Sequence, residues 1–87
     1  MSVLREIAAE RERQDEQWGK FHDEHHTPGE WLALLREREF KIGTAVKRDD
    51  YADLRKQLVI MAALSVAAVE SMDRKAVAVT FHPTHSG

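Results

Sequence analysis

The sequence predicts an all-α fold of three helices: two shorter helices, one long apolar helix and a short extended C-terminal tail. Apolar residues recur at helical spacing in the first half of the chain. Capping residues stand where helices should begin, and an uninterrupted apolar run fills residues 59–69. The chain has 87 residues, enough for one domain. We therefore expect a helical domain over residues 1–74 and an extension over residues 75–87.

The first two helices are delimited by local signals. Ser2 is a plausible N-cap for a helix over about residues 2–17, and glycine after Trp18 favours its end. A polar loop follows. Thr27, Pro28 and Glu30 then form a capping-box pattern with proline at the first helical position. This pattern predicts a second helix over residues 28–47. The glycine inside it should destabilise the helix by about 1 kcal/mol relative to alanine.

The third helix begins at a cap supplied by Asp49 or Asp50 and is predicted to end near Arg74. Residues 59–69 are apolar on every side, which is typical of a central or interface helix. The two other predicted helices are too few to cover this apolar surface, so we expect a homo-oligomer. The alternative is a monomer whose other helices and tail wrap around it. Residues 76–81, AVAVTF, alternate in side-chain type and include β-branched residues, a pattern that predicts a short strand or an extended arm.

Composition excludes several classes of protein. Hydrophobic residues make up 43%, charged residues 32%, and the net charge is −2. A general nucleic-acid or anionic-membrane binder would be basic. With no cysteine there is neither a disulfide nor a thiolate zinc site. The N-terminus lacks the apolar segment of a signal peptide, and the run over 59–69 is too short to cross a bilayer, so we expect a cytoplasmic protein.

Two arginines stand where hydrophobic residues belong. At 100° per residue, Arg11 falls in the middle of the apolar face of the first helix, and Arg38 falls at the centre of the apolar stripe of the second. An unpaired guanidinium in an apolar interior costs several kcal/mol, a rough figure. These arginines must therefore meet carboxylates, line a wet cavity or bind an anion.

One interpretation is a nucleotide pocket between the first two helices. Arginine suits phosphate because its planar fork donates two parallel hydrogen bonds, and tryptophan can stack on a base. The predicted ligand-binding residues are Arg11, Gln14, Asp15, Trp18, Trp31, Arg38 and Glu39. The alternative is an internal salt-bridge network, with Arg11 paired to Glu39 and Arg38 paired to Asp15.

Other polar clusters favour simpler interpretations. His22 and His26 have the i, i+4 spacing of two metal ligands, but their segment is bounded by glycine and proline and is better explained as a solvated loop with Asp23, Glu24 and His25. His82 and His85 are weaker candidates. The first helix carries an acidic string interleaved with arginines, which is typical of a solvated helix face: Glu6, Glu10, Glu12, Asp15 and Glu16.

Three strings together resemble a known family: ERERQDEQWG, HDEHHTPGEW and LVIMAALSVAAVESMDR. They are similar to the small MazG-like proteins of the all-α NTP pyrophosphatase group, in the short form often carried by phages. The resemblance covers about residues 4–74. It implies an all-α bundle that dimerises or forms a dimer of dimers and hydrolyses nucleoside triphosphates to monophosphate and pyrophosphate. It also implies magnesium held by carboxylates in an EExxE pattern on one helix and an ExxD pattern on the next.

This chain departs from that pattern at the metal ligands. The best register sets residues 38–42, REFKI, against EExxE and residues 57–60, QLVI, against ExxD. Of five carboxylates only Glu39 survives, and a shift of one residue adds Glu37 but does not restore the set. We therefore expect hydrolysis to be weak or absent and no cofactor to be required. Arg38 in place of a metal-binding acid could bind phosphate directly.

The leading hypothesis is thus a homo-oligomer that binds a nucleotide or cyclic nucleotide without hydrolysing it, a property that would let a phage protein sequester a nucleotide signal. The alternative is a magnesium-dependent NTP pyrophosphohydrolase, with Glu39 catalytic and a metal site assembled across subunits from Glu37, Glu39, Glu70 and Asp73. The second alternative is a structural or protein-interaction module whose arginines are held in salt bridges.

Overall fold

The computed structural model of the chain describes residues 2–18 and 27–80, and the side chains of residues 2–17 and 27–74. This part of the chain forms three α-helices: α1 (Val3–Trp18), α2 (Pro28–Lys47) and α3 (Tyr51–Thr80). No strand is present within the described ranges. The predicted all-α class is confirmed, and the predicted bounds of α1 and α2 agree with the structure to within one residue.

Side-chain caps begin the first two helices where the sequence places them. The Oγ atom of Ser2 accepts a hydrogen bond from the backbone N–H of Arg5 at 3.2 Å. Thr27 accepts from the backbone N–H of Glu30 at 3.2 Å, and the Glu30 carboxylate accepts from the backbone N–H of Thr27 at 3.2 Å. These bonds satisfy N–H groups that have no partner inside a helix. The predicted N-cap and capping box are confirmed.

The turn between α2 and α3 is three residues long. Asp49 has a positive φ of 54°, a left-handed conformation that aspartate tolerates better than most residues. The carboxylate of Asp50 accepts from the backbone N–H of Asp53 at 3.0 Å, so Asp50 rather than Asp49 caps α3. Within α2, the helix continues through Gly43 without a break.

The hydrophobic core lies between α2 and α3. The buried side chains of this core are Trp31, Ile60, Leu64, Ala67 and Ala68, with Leu34 and Leu35 packed against them. Alanines on α3 bring the two helix backbones close, and Trp31 fills the space beside them. Both α1 and α2 pack on α3, which makes α3 the central element.

Two predictions for the third helix are wrong. α3 continues to Thr80, so residues 76–80 are helical rather than a strand, and Phe81 lies outside the described residues. Extending an existing helix adds a hydrogen bond per residue without a new nucleus, and this outweighs the weak β preference of the valines. The prediction of one long apolar helix is also wrong, because charged side chains such as Arg55 and Glu70 flank the apolar run within the 30 residues of α3. No helix in the described ranges has both the length and the apolarity needed to cross a membrane.

Candidate functional site

All three helices border a cleft of about 320 Å³, here called the three-helix cleft. Its apolar wall consists of Leu34, Ile60 and Leu64, which belong to or adjoin the core. Its polar lining comprises two arginines, two glutamines and one glutamate: Arg13, Gln14, Gln17, Glu37 and Arg38. Two of the predicted ligand-binding residues, Gln14 from α1 and Arg38 from α2, therefore border the same space.

Gln14 is the most unusual residue of this cleft. It is 1% exposed, and neither its Nε2 nor its Oε1 atom has a hydrogen-bond partner among the described residues. Leaving a buried donor or acceptor unsatisfied costs about 1–3 kcal/mol. Because natural proteins rarely tolerate this cost without a reason, an amide so placed is a candidate for ligand binding.

Arg38 is half-buried, and its charge is met by a neutral group. Its Nη1 atom donates to Oε1 of Gln57 at 2.8 Å, and Nε2 of Gln57 donates to Oδ1 of Asp53 at 3.2 Å. Within the described ranges Arg38 forms no ion pair. The predicted Arg38–Asp15 pair is wrong, because α2 packs on α3 and brings Arg38 to Gln57 instead. Nη1 makes the one hydrogen bond that this guanidinium forms with the described residues, so its other donors remain available there to an anion.

Arg13 borders the cleft from α1, although the sequence predicts that it lies on a solvated helix face. Its Nε atom donates to both carboxylate oxygens of Glu10, at 2.9 and 2.8 Å, and its Nη1 atom donates to Oε1 of Gln17 at 2.9 Å. The hydrogen bonds that Arg13 donates to the Glu10 carboxylate raise the pKa of Arg13 above its ordinary value. Helical periodicity could not identify this residue, since it stands on the polar side of α1.

Arg11 points away from the three-helix cleft and toward α3. It forms an ion pair with Asp15 one turn along α1, and its Nε atom lies 3.6 Å from Oε1 of Glu70. Its side chain is 15% exposed, so the prediction that it turns inward is confirmed. In place of the alternative Arg11–Glu39 pair, the structure brings Arg11 to acids of α1 and α3, because α1 packs mainly on α3. Glu39 is exposed on α2.

The remaining predicted ligand-binding residues lie elsewhere. Trp31 belongs to the core and is not among the residues that border the cleft. Asp15 is half-buried beside Arg11. The side chain of Trp18 and all five histidines lie outside the described residues: His22, His25, His26, His82 and His85.

The candidate metal ligands are dispersed over the chain. Glu37 borders the cleft and lies 3.6 Å from Nζ of Lys41, whereas Glu70 faces Arg11 and Asp73 is exposed. In the part of the chain that the structure describes, no three histidine or acidic side chains stand close enough together to hold a metal ion.

A second and more open groove of about 410 Å³ lies between α1 and α3. Two hydrogen bonds join Arg55 to the Glu6 carboxylate across it, at 2.7 and 2.6 Å. These bonds hold the pKa of Glu6 below its ordinary value near 4.5. The floor of the groove is apolar and includes Ala52 and Val59. Both of its acids are already paired with arginines, so this groove offers less unmet polar chemistry than the three-helix cleft.

Comparison with protein-family models, with curated proteins and with solved structures gives no significant match for this chain. The similarity to MazG-like proteins therefore stays a prediction from the sequence.

Proposed function

We propose that this protein binds a nucleotide in the three-helix cleft, with Arg38 as the principal phosphate ligand. The observation that carries the proposal is the combination of a half-buried guanidinium without a carboxylate partner and a buried amide without any partner, among the described residues. Charge-assisted hydrogen bonds from a guanidinium to phosphate are among the stronger polar contacts in proteins. A second arginine, Arg13, borders the same space.

The resemblance to MazG-like proteins supports this proposal. In the register given above, Arg38 takes the place of the first acid of EExxE, and Gln57 takes the place of the acid that opens ExxD. The side chains of these two residues hydrogen-bond at 2.8 Å. Positions that would jointly hold magnesium in a hydrolytic relative thus lie together here, with a cation and a neutral amide in place of two acids. A site altered in this way favours direct contact with phosphate over contact through a metal.

A ligand-binding assay on an Arg38 variant tests the proposal. Calorimetry with nucleoside monophosphates, triphosphates and cyclic nucleotides should detect binding to the wild type. Arg38→Ala should weaken it by about 1–3 kcal/mol, the range for losing a charge-assisted hydrogen bond. The matched control is Arg36→Ala, which removes an exposed arginine of α2 and should leave the affinity unchanged. If no nucleotide binds the wild type, or if both variants bind alike, the proposal fails.

A hydrolysis assay separates the proposal from the enzymatic alternative. We expect no substantial release of pyrophosphate from NTPs in the presence of magnesium, and nucleotide binding that persists when the metal is chelated. Robust turnover that Glu39→Gln abolishes would instead support a pyrophosphohydrolase with acids contributed by more than one subunit.

We further propose that the protein forms a homo-oligomer through α3. On the face of α3 turned away from α1 and α2, apolar and small residues recur at intervals of four and three positions, as in a coiled-coil seam. Leu58, Val69 and Met72 on this stripe are 50%, 57% and 48% exposed, and the stripe also includes Ala62 and Ser65. A second copy presents the same stripe, which suits a symmetric interface. A solution mass of at least two chains by sedimentation is the expected result.

A further inference from the structure

We infer that Gln14 binds the base of the nucleotide and thereby makes the cleft prefer nucleotides to inorganic phosphates. This inference rests on the proposed function and adds a specificity-determining residue to it. Gln14 is 1% exposed, borders the cleft and has no hydrogen-bond partner among the described residues at either polar atom of its amide.

The two polar atoms of the Gln14 amide require different hydrogen-bond partners. Nε2 is a donor and Oε1 is an acceptor. A phosphate oxygen could accept from Nε2, but a fully ionised phosphate group has no hydrogen to give to Oε1. A ligand with a donor beside an acceptor satisfies both atoms at once, and nucleobases carry that pair on their edges. A side-chain amide that binds an adenine edge in this way is a recurrent contact in nucleic-acid recognition.

The surroundings of Gln14 suit a base, whereas the guanidinium groups suit a phosphate. Leu34, Ile60 and Leu64 give the cleft an apolar wall against which the face of a base can pack. Arg38 supplies the unmatched positive charge, since Arg13 is paired with Glu10, and Glu37, which also borders the cleft, lies 3.6 Å from Nζ of Lys41. The volume of about 320 Å³ is at the small end of ligand sites, which run from about 300 to 1,000 Å³. One mononucleotide is therefore a better match than a dinucleotide or an oligonucleotide.

The test compares two ligands on two variants of the full chain. The ligands are inorganic pyrophosphate and the nucleotide that the wild type binds most tightly among the common nucleoside monophosphates and triphosphates. Gln14→Met keeps the size of the side chain but removes both polar atoms. It should weaken nucleotide binding about 5- to 150-fold, the range for one good bidentate contact, and change pyrophosphate binding less than twofold. Arg38→Ala should weaken the binding of both ligands.

Control variants keep the outcomes distinct. Glu16→Met alters an exposed side chain of α1 that does not border the cleft, and it should preserve the preference for nucleotide. Gln14→Asn keeps both polar atoms but withdraws them by one methylene, and it should lose the preference as Gln14→Met does. If Gln14→Met weakens both ligands equally or neither, Gln14 does not bind the base, although nucleotide binding itself would stand. If the wild type binds no nucleotide, the proposed function fails as well.

Discussion

α1 and α2 pack on the same helix by different means. α2 contributes a large buried ring, Trp31, together with Leu34 and Leu35, to the core it shares with α3. In α1, by contrast, Gln14 is the one side chain that is buried among those the structure describes, whereas Val3 and Leu4 are 54% and 78% exposed. The contacts between α1 and α3 include charged pairs, such as Glu6–Arg55 and Arg11–Glu70.

This difference has a consequence for function. Apolar packing sets most of the stability of a small helical domain, so the α2–α3 pair forms the rigid part, and α1 is the element with the least apolar anchorage. The three-helix cleft lies along the boundary between them. A ligand that satisfied Gln14 and Arg38 would tie α1 to α2 and add the anchorage that apolar contacts do not supply. Binding of this kind stabilises the fold by an amount that grows with the logarithm of ligand concentration over Kd.

The largest expected effect on the free energy of unfolding is at the apolar contact between α2 and α3. Trp31→Ala should lower the free energy of unfolding by about 3–5 kcal/mol, because it leaves a cavity where a fully buried indole packed on α3. Ile7→Ala, at a half-buried position of α1, should cost only about 1 kcal/mol. Chemical denaturation followed by circular dichroism measures both. Equal losses would mean that α1 is anchored as firmly as α2.

A smaller effect of opposite sign is expected at Gln14. Gln14→Met should raise the free energy of unfolding in the absence of ligand by about 1–3 kcal/mol, because it removes two buried polar atoms that have no partner among the described residues. Gln17→Met changes an exposed glutamine and should stay within about 0.5 kcal/mol of the wild type. A less stable Gln14→Met variant would indicate that the amide is hydrogen-bonded in solution, so that α1 would not carry an unsatisfied buried group.

The smallest effect is expected at the surface pair Glu6–Arg55. The hydrogen bonds from Arg55 lower the pKa of Glu6 in the folded state, so the charged carboxylate stabilises the fold above the unfolded pKa near 4.5. That contribution is lost as the pH falls through the lower folded value. The stability of the wild type relative to Glu6→Gln should therefore be greatest near neutral pH and shrink in acid. Denaturation curves from pH 2 to 7 measure it, and a difference independent of pH would rule out this ion pair as its source.

Local features of the chain were predictable because their causes lie within a few residues. The Ser2 cap, the Thr27–Glu30 capping box and the bounds of α2 all depend on groups three or four positions apart, and each is confirmed. The end of α3 was not predicted, because valine and threonine spacing suggested a strand where helix propagation prevailed.

The composition of the cleft could be predicted only in part. Periodicity places Arg38 on an inward face, Gln14 is among the predicted ligand-binding residues, and both border the cleft. Arg13 and Gln17 are exposed residues one turn apart on α1 that also border the cleft, and a periodic pattern does not show that an exposed residue borders a cleft. Trp31 was predicted to be able to stack on a base, whereas the structure places it in the core. An apolar residue on an inward face packs against whichever helix comes nearest, and the sequence does not name that helix.

The sequence by itself determined that three helices form, where the first two begin and end, and that Arg11 and Arg38 stand among apolar neighbours. Only the tertiary structure decided which groups meet these arginines: Glu70 lies beside Arg11, and Gln57, 19 residues along the chain, accepts from Arg38. The physical reason is that helix caps and periodicity arise from contacts within one turn. Pairing between helices, in contrast, depends on how whole helices pack, and here α1 packs mainly on α3 rather than on α2.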